Sequence, residues 1–286
     1  MRDHSTLVSA QKQFHHESVS LDTRTGSVNI SGSRVDLMSW NSALEQIMDA
    51  AVTDQKPALA VASANLDHLY HFGPGGAAYG RAMVDNDRVR WLNLIDGAPI
   101  AACVRRLTGQ DWPRLAGSDL LLPILWNAAQ FNLRVGFLGG TEDSLARLRT
   151  RVADKIPTLN LAGTWSPSRQ QITSPLQSTR LAKEIRTHDV QILVVGLGKP
   201  RQEMWIQRNG AATGARVLLA FGASADFLAG TANRAPVWVQ SAGLEWSYRL
   251  AKEPRRLWRR YLLQGPPAYA QLRRARPDEI GVAGGR

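Results

Sequence analysis

Short apolar runs alternate with helix-like segments through the second half of this chain, and this alternation restricts the fold more than any other feature. Four of the runs are apolar and short enough for buried strands: 133–140, 159–165, 189–198 and 215–222. In the segment between the first two runs, apolar residues recur at helical spacing, with arginines opposite. Strands that alternate with helices are joined by crossovers and pair in parallel. The sequence therefore predicts an α/β fold, with a Rossmann-like, mostly parallel sheet covered by helices on both faces.

The first half of the chain fits the same architecture with less regular spacing. Residues 27–37 predict a short hairpin, and Ser42 with Glu45 forms a capping pattern that predicts a helix starting near Asn41. Two further apolar runs, 58–64 and 89–95, predict buried strands.

Composition divides the chain into three parts. Residues 1–26 are polar and aperiodic, which predicts a loose N-terminal arm, and residues 27–242 carry the strand and helix pattern of the Rossmann-like domain. Residues 243–286 predict a basic helical C-terminal appendage with interspersed aromatic residues. Of the net charge of +11, most lies after residue 230, where eleven Lys or Arg face four Asp or Glu. Such a charge excess indicates a polyanionic partner, either nucleic acid or an anionic membrane surface.

Polar residues and glycines stand at the predicted strand ends, where ligands of parallel sheets bind. They are Ser63, Asn65, Asp96, Gly139, Gly196, Gly198 and Gly222. In the turn GGTEDS, the acidic first turn of the helix, Glu142 and Asp143, repels an anion, although the glycines can still approach a nucleoside. In the turn GLGKPRQ, the first turn carries Lys199 and Arg201 instead. The second turn is therefore predicted to bind an anion or the sugar next to it.

Neither glycine turn matches a nucleotide-binding motif in full. The pattern G-x-G-x-x-G fails at its last position, where Arg201 stands, and no acidic residue ends the next predicted strand to hold a ribose. The P-loop pattern is absent from the sequence. By itself, the second turn fits a ligand site and a structural strand–helix junction equally well.

Several protein classes are disfavoured by the sequence. A single cysteine, Cys103, indicates a reducing compartment without internal disulfides. No segment resembles a signal peptide or reaches the roughly 18 apolar residues of a membrane span, so a cytoplasmic, non-spanning protein is expected. A Rossmann-type oxidoreductase is an alternative, weakened by the incomplete fingerprint. A basic nucleic-acid-binding protein is another, but no recognition motif supports it and the basic residues are confined to the appendage, so no nucleic-acid partner is expected.

Several stretches together resemble one family of enzymes. They are VGFLGGTEDSL, RLAGSDL, VGLGKPRQEMWI and the segment 221–261, which begins FGASADFLAG. These stretches resemble the WecG/TagA/CpsF family of bacterial glycosyltransferases (glycosyltransferase family 26), and the resemblance runs from Val28 to Tyr269. It implies an enzyme that moves a sugar from a UDP-sugar to a polyprenyl-diphosphate-linked sugar, with inversion, for cell-wall polymers or surface exopolysaccharide. The implied donors are of the UDP-N-acetylmannosamine type or UDP-glucose.

The resemblance also implies roles for individual residues. Asp96, in the sequence Ile95-Asp96-Gly97, matches the family's proposed catalytic base. The resemblance implies substrate-binding roles for Ser63, Asn65, Arg114 and Gln202, and the strand-end analysis adds Gly139, Gly196, Gly198 and Lys199 as predicted substrate-binding residues. The implied diphosphate or membrane contacts are Arg249, Arg255, Arg256, Arg259 and Arg260. Lys199 stands where the family usually has a small residue, which leaves the sugar specificity open.

Catalysis without a metal or other cofactor is expected. No Asp-x-Asp pair lies in a metal-binding setting, and His68 with His71 lacks an evident third ligand, so packed or solvated histidines are the expectation. The charge of a departing diphosphate is then met by arginine, lysine and backbone N–H groups. From the residues alone, Asp96 also fits a turn aspartate, and Ser63, Asn65 and Gln202 also fit capping and turn roles.

Aromatic side chains lie among the arginines of the appendage, where Leu257 and Tyr261, and Trp258 and Leu262, are four residues apart. A basic helix with interfacial aromatics, Trp246 included, favours an anionic membrane surface, and a solvated helix face is the other interpretation. We therefore expect peripheral association with the inner face of the cell membrane, and self-association into a homo-oligomer is left open.

Overall fold

The computed structural model describes residues 26–232, 235–236, 238–239, 244–275 and 280–281. Within these residues one sheet is formed by nine strands, in the spatial order β6-β5-β7-β8-β3-β4-β2-β1-β9. The strands are β1 (Gly26–Ile30), β2 (Ser33–Leu37), β3 (Ala58–Ala64), β4 (Val89–Ile95), β5 (Arg134–Leu138), β6 (Asn160–Trp165), β7 (Ile192–Val195), β8 (Val217–Leu219) and β9 (Ile280–Gly281).

Every strand pair from β6 across to β2 is parallel. At the other end, β1 pairs antiparallel with both β2 and β9. The hairpin of β1 and β2 turns at Ser31 and Gly32, which both have positive φ angles, as expected of a two-residue turn of type I′. The hairpin predicted for residues 27–37 is therefore confirmed.

Helices connect the strands and pack on both faces of the sheet. They are α1 (Trp40–Val52), α2 (Leu66–Phe72), α3 (Ala98–Thr108), α4 (Gly117–Gln130), α5 (Glu142–Lys155), α6 (Arg169–Thr173), α7 (Pro175–Arg186), α8 (Arg201–Asn209), α9 (Gly222–Ala229), α10 (Glu245–Lys252), α11 (Pro254–Trp258) and α12 (Gly265–Arg274). A 3₁₀ turn, Gly210–Thr213, follows α8, and a π-helical stretch, Arg259–Gln264, joins α11 to α12.

The structure has three layers, with the sheet between two layers of helices, and the hydrophobic core fills both interfaces. Helices α1, α4, α5 and α9 cover one face of the sheet, with Ile47 and Ile124 fully buried there. Helices α7 and α8 cover part of the other face, where Ile185 and Ile206 are fully buried. This arrangement confirms the predicted α/β, Rossmann-like fold.

Helix α1 differs from the prediction in its first residue. It begins at Trp40, and Ser39 caps it by accepting the N–H of Ser42 on its side-chain oxygen at 3.1 Å. The predicted pair of Ser42 and Glu45 is therefore not the cap. Serine at position 39 caps the helix one turn earlier and satisfies the N–H of Ser42 instead of that of Glu45.

The last helix, α12, packs into the core of the sheet domain. Leu272 is buried beside Val104 of α3, and the guanidinium of Arg106 donates to the carbonyls of Leu272 at 2.8 Å and Ala275 at 3.1 Å. These bonds satisfy carbonyls that a helix end leaves unpaired. The appendage predicted for 243–286 is thus anchored through α12, while its boundary at residue 243 lies outside the described residues. The predicted N-terminal arm also lies outside them, except that Gly26 begins β1.

Candidate active site

The carboxyl ends of the parallel strands β3, β4, β5, β7 and β8 lie along one edge of the sheet. The chain passes from β3 to β4 on one side and later returns to β8 on the other side of β3. The pair of β3 and β8 is therefore a topological switch point, which is where ligands of such sheets bind.

Asp96 lies at this edge, directly after β4, and is half-buried. Its backbone N–H donates to the carbonyl of Ala64 at the end of β3, at 3.0 Å. The side-chain amide of Asn65 donates to the Asp96 carboxylate at 3.1 Å. Gly97, with φ of 84°, then turns the chain into α3. The carboxylate is therefore held in a defined orientation at the mouth of the switch point.

Asn65 has two roles in this arrangement. Its side-chain oxygen caps α2 by accepting the N–H of His68 at 3.1 Å, while its amide N–H₂ group binds Asp96. The capping role that the sequence allowed is therefore confirmed, and the same side chain also orients Asp96. A serine or aspartate could also cap α2, but neither offers an amide donor for the carboxylate.

The loop that carries Arg114 is held against the ends of β3 and β4. The N–H of Leu115 donates to the carbonyl of Ile95 at 2.6 Å, and the N–H of Gly117 donates to the side-chain oxygen of Ser63 at 3.4 Å. Arg114 itself is exposed. Ser63 thus positions the start of α4. The loop with the exposed Arg114 lies at the same edge of the sheet as Asp96.

Three glycines pack their backbones against one another where β5, β7 and β8 end. A Cβ atom on Gly139, whose φ is 108°, would lie 2.3 Å from the carbonyl oxygen of Gly196. A Cβ atom on Gly222 would lie 3.0 Å from the Cα atom of Gly196. At Gly139 a side chain would overlap a backbone atom, while at Gly196 and Gly222 it would force the neighbouring turn to shift, so the close approach of the three turns favours glycine at all three positions.

Lys199 is directed into the protein. Its ammonium group donates to the carbonyl of Ser63 at 2.8 Å and lies 3.7 Å from the carboxylate of Glu203, and less than a tenth of its side chain is exposed. Burial raises the pKa of Glu203, although the charge of Lys199 acts in the opposite direction. Lys199 therefore ties the glycine turn after β7 to the end of β3, a role that the sequence did not indicate.

Gln202 and Arg201 leave the same turn in opposite directions. Gln202 is buried, and its amide donates to the carbonyl of Ala220 after β8 at 2.9 Å. Arg201 is exposed, and a Cβ atom on Gly198 would lie 3.4 Å from its guanidinium nitrogen. The cation that lies over the glycine turn is therefore Arg201.

Two of the predicted tail arginines contact the sheet domain. Arg260 forms an ion pair with Asp67 of α2 at 3.2 Å, and the guanidinium of Arg249 lies 5.4 Å from the ring centre of Phe227 on α9. Arg255 and Arg259 are exposed. The side chain of the remaining one, Arg256, lies outside the described part of the structure.

The two histidines are packed side chains. His68 is buried, and burial, reinforced by the charge of Lys199, lowers its pKa well below the usual value. His71 lies 3.5 Å from the carboxylate of Asp67. Within the described residues, no group of three or more His, Cys, Asp or Glu side chains is placed to hold a metal ion.

Residues 28–279 match the family described as glycosyl transferase WecG/TagA/CpsF. The chain belongs to this family. The family and the enzyme class predicted from the sequence, a glycosyltransferase, are thus confirmed.

The chain is similar to a curated protein of Bacillus subtilis (strain 168), the N-acetylglucosaminyldiphosphoundecaprenol N-acetyl-beta-D-mannosaminyltransferase. The two are 29% identical over 177 residues, which is 62% of this chain and 66% of the relative. The matched part thus spans just under two thirds of the relative's length. Among the described helices, none has both the length and the apolar character that a membrane span needs.

A narrow recess, with a cavity volume of about 10 Å³, opens beside the glycine junction. It is lined by Gly139, Gly140, Gly196 and Gly222, by Ser144 of α5, and by Asp226 of α9, together with apolar side chains of β5 and β7. Asp226 was not among the residues predicted from the sequence. The signal that points to it is its position four residues after Gly222, on the helix that follows β8 at the same edge.

Asp67 is a buried carboxylate near the site, in contact with His71 and Arg260. Burial by itself would raise its pKa, but the hydrogen bond from His71 and the charges of Arg260 and Lys199 outweigh burial and lower the pKa to about 2. Asp67 is therefore a charged link between α2, the glycine turn and the C-terminal helices.

We expect Asp67→Asn to lower the free energy of unfolding at neutral pH by about 2 kcal/mol, because a lowered pKa in the folded state stabilises the protein above the unfolded pKa. The deficit should shrink as the pH falls from about 4 to about 2, since the wild-type carboxylate is then protonated as well. Urea unfolding at a series of pH values measures it. Asp111→Asn, which removes an exposed ion pair with Arg105, is the matched control and should change little. A deficit that stays constant over this range would contradict the prediction.

Proposed function

We propose that this protein transfers a sugar from a UDP-sugar to a sugar carried on a polyprenyl diphosphate, with Asp96 as the catalytic base. The observation that carries the proposal is the Asp96 carboxylate, oriented by Asn65 at the same edge of the sheet as the glycine turns. A carboxylate in such a place can accept the proton of an incoming hydroxyl group.

The reaction is a single displacement at the anomeric carbon of the donor sugar. The acceptor hydroxyl oxygen forms the new bond to this carbon while its proton passes to Asp96. The bond from the carbon to the diphosphate oxygen breaks, and UDP departs with the electron pair. Attack from the face opposite the leaving group inverts the anomeric configuration, as our sequence-based expectation requires.

The edge of the sheet at the mouth of the glycine recess is the proposed place of the donor nucleotide. Gly139 and Gly196 let the ligand approach the backbone closely, and the carboxylate of Asp226 suits the hydroxyl groups of a ribose. The negative charge that develops on the diphosphate is met by arginine, with Arg201 over the turn and Arg249 beside α9 as the nearest candidates. In this proposal catalysis needs no metal ion. Lys199 holds the glycine turn in place through its contacts with Ser63 and Glu203.

The donor is proposed to be UDP-N-acetylmannosamine, with N-acetylglucosamine on the lipid diphosphate as the acceptor sugar. The relative from Bacillus subtilis is named for these two sugars, and this supports the choice over UDP-glucose. The test is to incubate the enzyme with a short-chain lipid diphosphate carrying N-acetylglucosamine and with each UDP-sugar in turn, and to weigh the products. A product only with UDP-glucose would overturn the donor assignment, and no product with any donor would overturn the acceptor assignment.

We further propose that the C-terminal helices bind an anionic membrane surface, where the lipid-linked acceptor resides. Several large apolar side chains there are exposed, and Arg255 and Arg259 are exposed among them. The apolar residues are Trp246, Trp258, Leu262, Leu263 and Tyr269. Apolar groups that enter the interface, combined with nearby arginines, give reversible binding to anionic lipids.

We expect the triple substitution Trp258→Ala, Leu262→Ala, Leu263→Ala to weaken binding to vesicles that contain anionic lipid by at least about tenfold, because each side chain loses apolar area that membrane insertion buries. Point substitutions are required, since deletion of the C-terminal segment would also remove Leu272 from the core. Co-sedimentation with vesicles measures the effect.

The matched control is the triple variant Val52→Ala, Phe131→Ala, Leu176→Ala. These side chains are comparably exposed but lie on α1, at the end of α4 and on α7, respectively. It should bind vesicles as the wild type does. Equal loss in both variants would show that general surface hydrophobicity, and not the C-terminal helices, drives the binding.

A further inference from the structure

A second cavity, which none of the proposed transfer residues lines, lies between α2 and the sheet. It has a volume of about 180 Å³. Its walls include Ser33 of β2, Asn93 of β4 and His68 of α2, with Phe72, Tyr79 and Met83 on the apolar side. We call it the α2 cavity.

Three polar atoms in the walls of the α2 cavity are buried without a hydrogen-bond partner. They are the side-chain oxygens of Ser33 and Asn93 and the Nδ1 atom of His68. The three residues are 5%, 2% and 1% exposed, so bulk water does not satisfy them. Leaving such groups unpaired is unfavourable, because their lost hydrogen bonds to water are not replaced, and folded proteins retain few of them. Three of them around one cavity, from three different elements, indicate a ligand with several hydrogen-bonding groups.

The α2 cavity carries little net charge. Its one cation, Arg34, is paired with Asp36 at 2.8 Å and with Asp85 at 3.3 Å. His68 is buried away from water, a setting in which a neutral imidazole is favoured. The cavity therefore suits an uncharged ligand and disfavours a phosphate, a carboxylate or a metal ion.

Next to His68, part of the cavity lining is apolar and aromatic. The ring of Phe72 lies with its centre 5.0 Å from that of His68, and Tyr79 and Met83 extend this side. A sugar ring has the matching character, because its hydroxyl groups form hydrogen bonds at the edge while its C–H groups pack on aromatic faces. We propose that the α2 cavity binds an uncharged sugar, with hydroxyl groups on Ser33, Asn93 and His68.

The cavity is close to the transfer site along the chain. The N–H of His68 donates to Asn65, and Asn65 donates to Asp96, so α2 carries the wall of one site and the cap that orients the other. The bound sugar could therefore be the sugar unit of the lipid-linked acceptor or a free saccharide. Both have the same chemistry in the cavity, and the experiment separates them.

The first arm of the experiment does not depend on the proposed function. Saturation-transfer NMR is recorded on the full chain with millimolar N-acetylglucosamine and with glucose, in the absence of any donor. We expect transfer to at least one sugar in the wild type, and binding about tenfold weaker in Asn93→Leu and in Ser33→Ala, the loss expected for one or two hydrogen bonds. Ser178→Ala, a buried serine bonded to the carbonyls of Gln171 and Ile172, is the matched control and should bind normally.

Fold integrity is checked by thermal unfolding of each variant. Leucine at position 93 removes no protein hydrogen bond from the side-chain oxygen, so Asn93→Leu should remain folded. If Asn93→Leu does not fold, Ser33→Ala still tests the proposal. No transfer to either sugar, or equal transfer in the wild type and both variants, would overturn the proposal.

The second arm rests on the proposed function. A raised KM for the lipid-linked acceptor in Asn93→Leu, with unchanged kcat, assigns the cavity to the acceptor sugar. An unchanged KM, with binding of the free sugar lost, assigns it to a separate saccharide. Because the first arm measures binding without catalysis, its failure and the failure of the proposed transfer reaction are distinguishable.

Discussion

We expect Asp96→Asn to reduce the turnover rate by about 10²–10⁴-fold, while the affinity for UDP changes little. An asparagine amide has nearly the same shape as the carboxylate, but it cannot accept a proton from the acceptor hydroxyl. The donor nucleotide is proposed to contact the glycine recess and Arg201 instead, so its binding should persist. Initial rates with the lipid-linked acceptor and calorimetric titration with UDP measure the two quantities.

Two further variants sharpen this prediction. Asn65→Ala removes the amide that orients the carboxylate and should lower the turnover rate less than Asp96→Asn does, because the base is misplaced but present. Asp54→Asn lies before β3, at the opposite end of that strand, and should retain wild-type rates. Full activity in Asp96→Asn would remove Asp96 from the catalytic role.

We expect Gly139→Ala to lower the free energy of unfolding by more than the strain of a positive φ angle alone would. Alanine at φ of 108° is strained, and its Cβ atom would lie 2.3 Å from the carbonyl oxygen of Gly196, a backbone atom of the neighbouring strand end. Relief of this contact requires β5 and β7 to separate where the recess opens, so donor binding should weaken as well.

Gly75→Ala isolates the contact from the backbone strain. Gly75 has φ of 80°, and nothing lies within 4 Å of a Cβ atom placed on it. We expect Gly139→Ala to cost about 1–3 kcal/mol more than this control, the usual penalty of overpacking. In a chain of this size each kcal/mol lowers Tm by about 2–4 °C, which differential scanning calorimetry resolves. Equal changes in Tm for the two variants would contradict the close packing of the three glycine turns.

The order of elements and the edge that carries the site were predictable from the sequence. Apolar runs of strand length mark β3, β4, β5, β7 and β8, and polar residues or glycines at their ends mark the binding edge. Asp96 and Asn65 follow different strands, yet parallel pairing of β3 with β4 requires them to be neighbours. Such inferences succeed because they depend only on periodicity and strand direction.

The direction of long side chains was not predictable. Lys199 in the glycine turn suggested a cation that faces a bound anion, but the structure turns it inward to Ser63 and Glu203, and Arg201 lies over the turn. A lysine side chain has many rotamers, and its direction depends on the partner that the fold supplies. Here the partner is the end of β3, which is distant in sequence.

Contacts between distant segments were also hidden from the sequence. The pairing of Arg260 with Asp67 and the packing of Leu272 near Val104 join residues from opposite ends of the chain. The sequence indicated a basic tail with aromatics but not that its last helix completes the core.

The sequence by itself thus determined the α/β class, the edge of the sheet that carries the candidate site, and the glycosyltransferase family, because local periodicity and short motifs carry that information. Only the tertiary structure decided that Lys199 faces inward, that the three glycine turns touch, and that Ser33, His68 and Asn93 surround one cavity. The physical reason is that these features depend on which strand ends and helices become neighbours, and residues far apart in the chain meet only when the core packs.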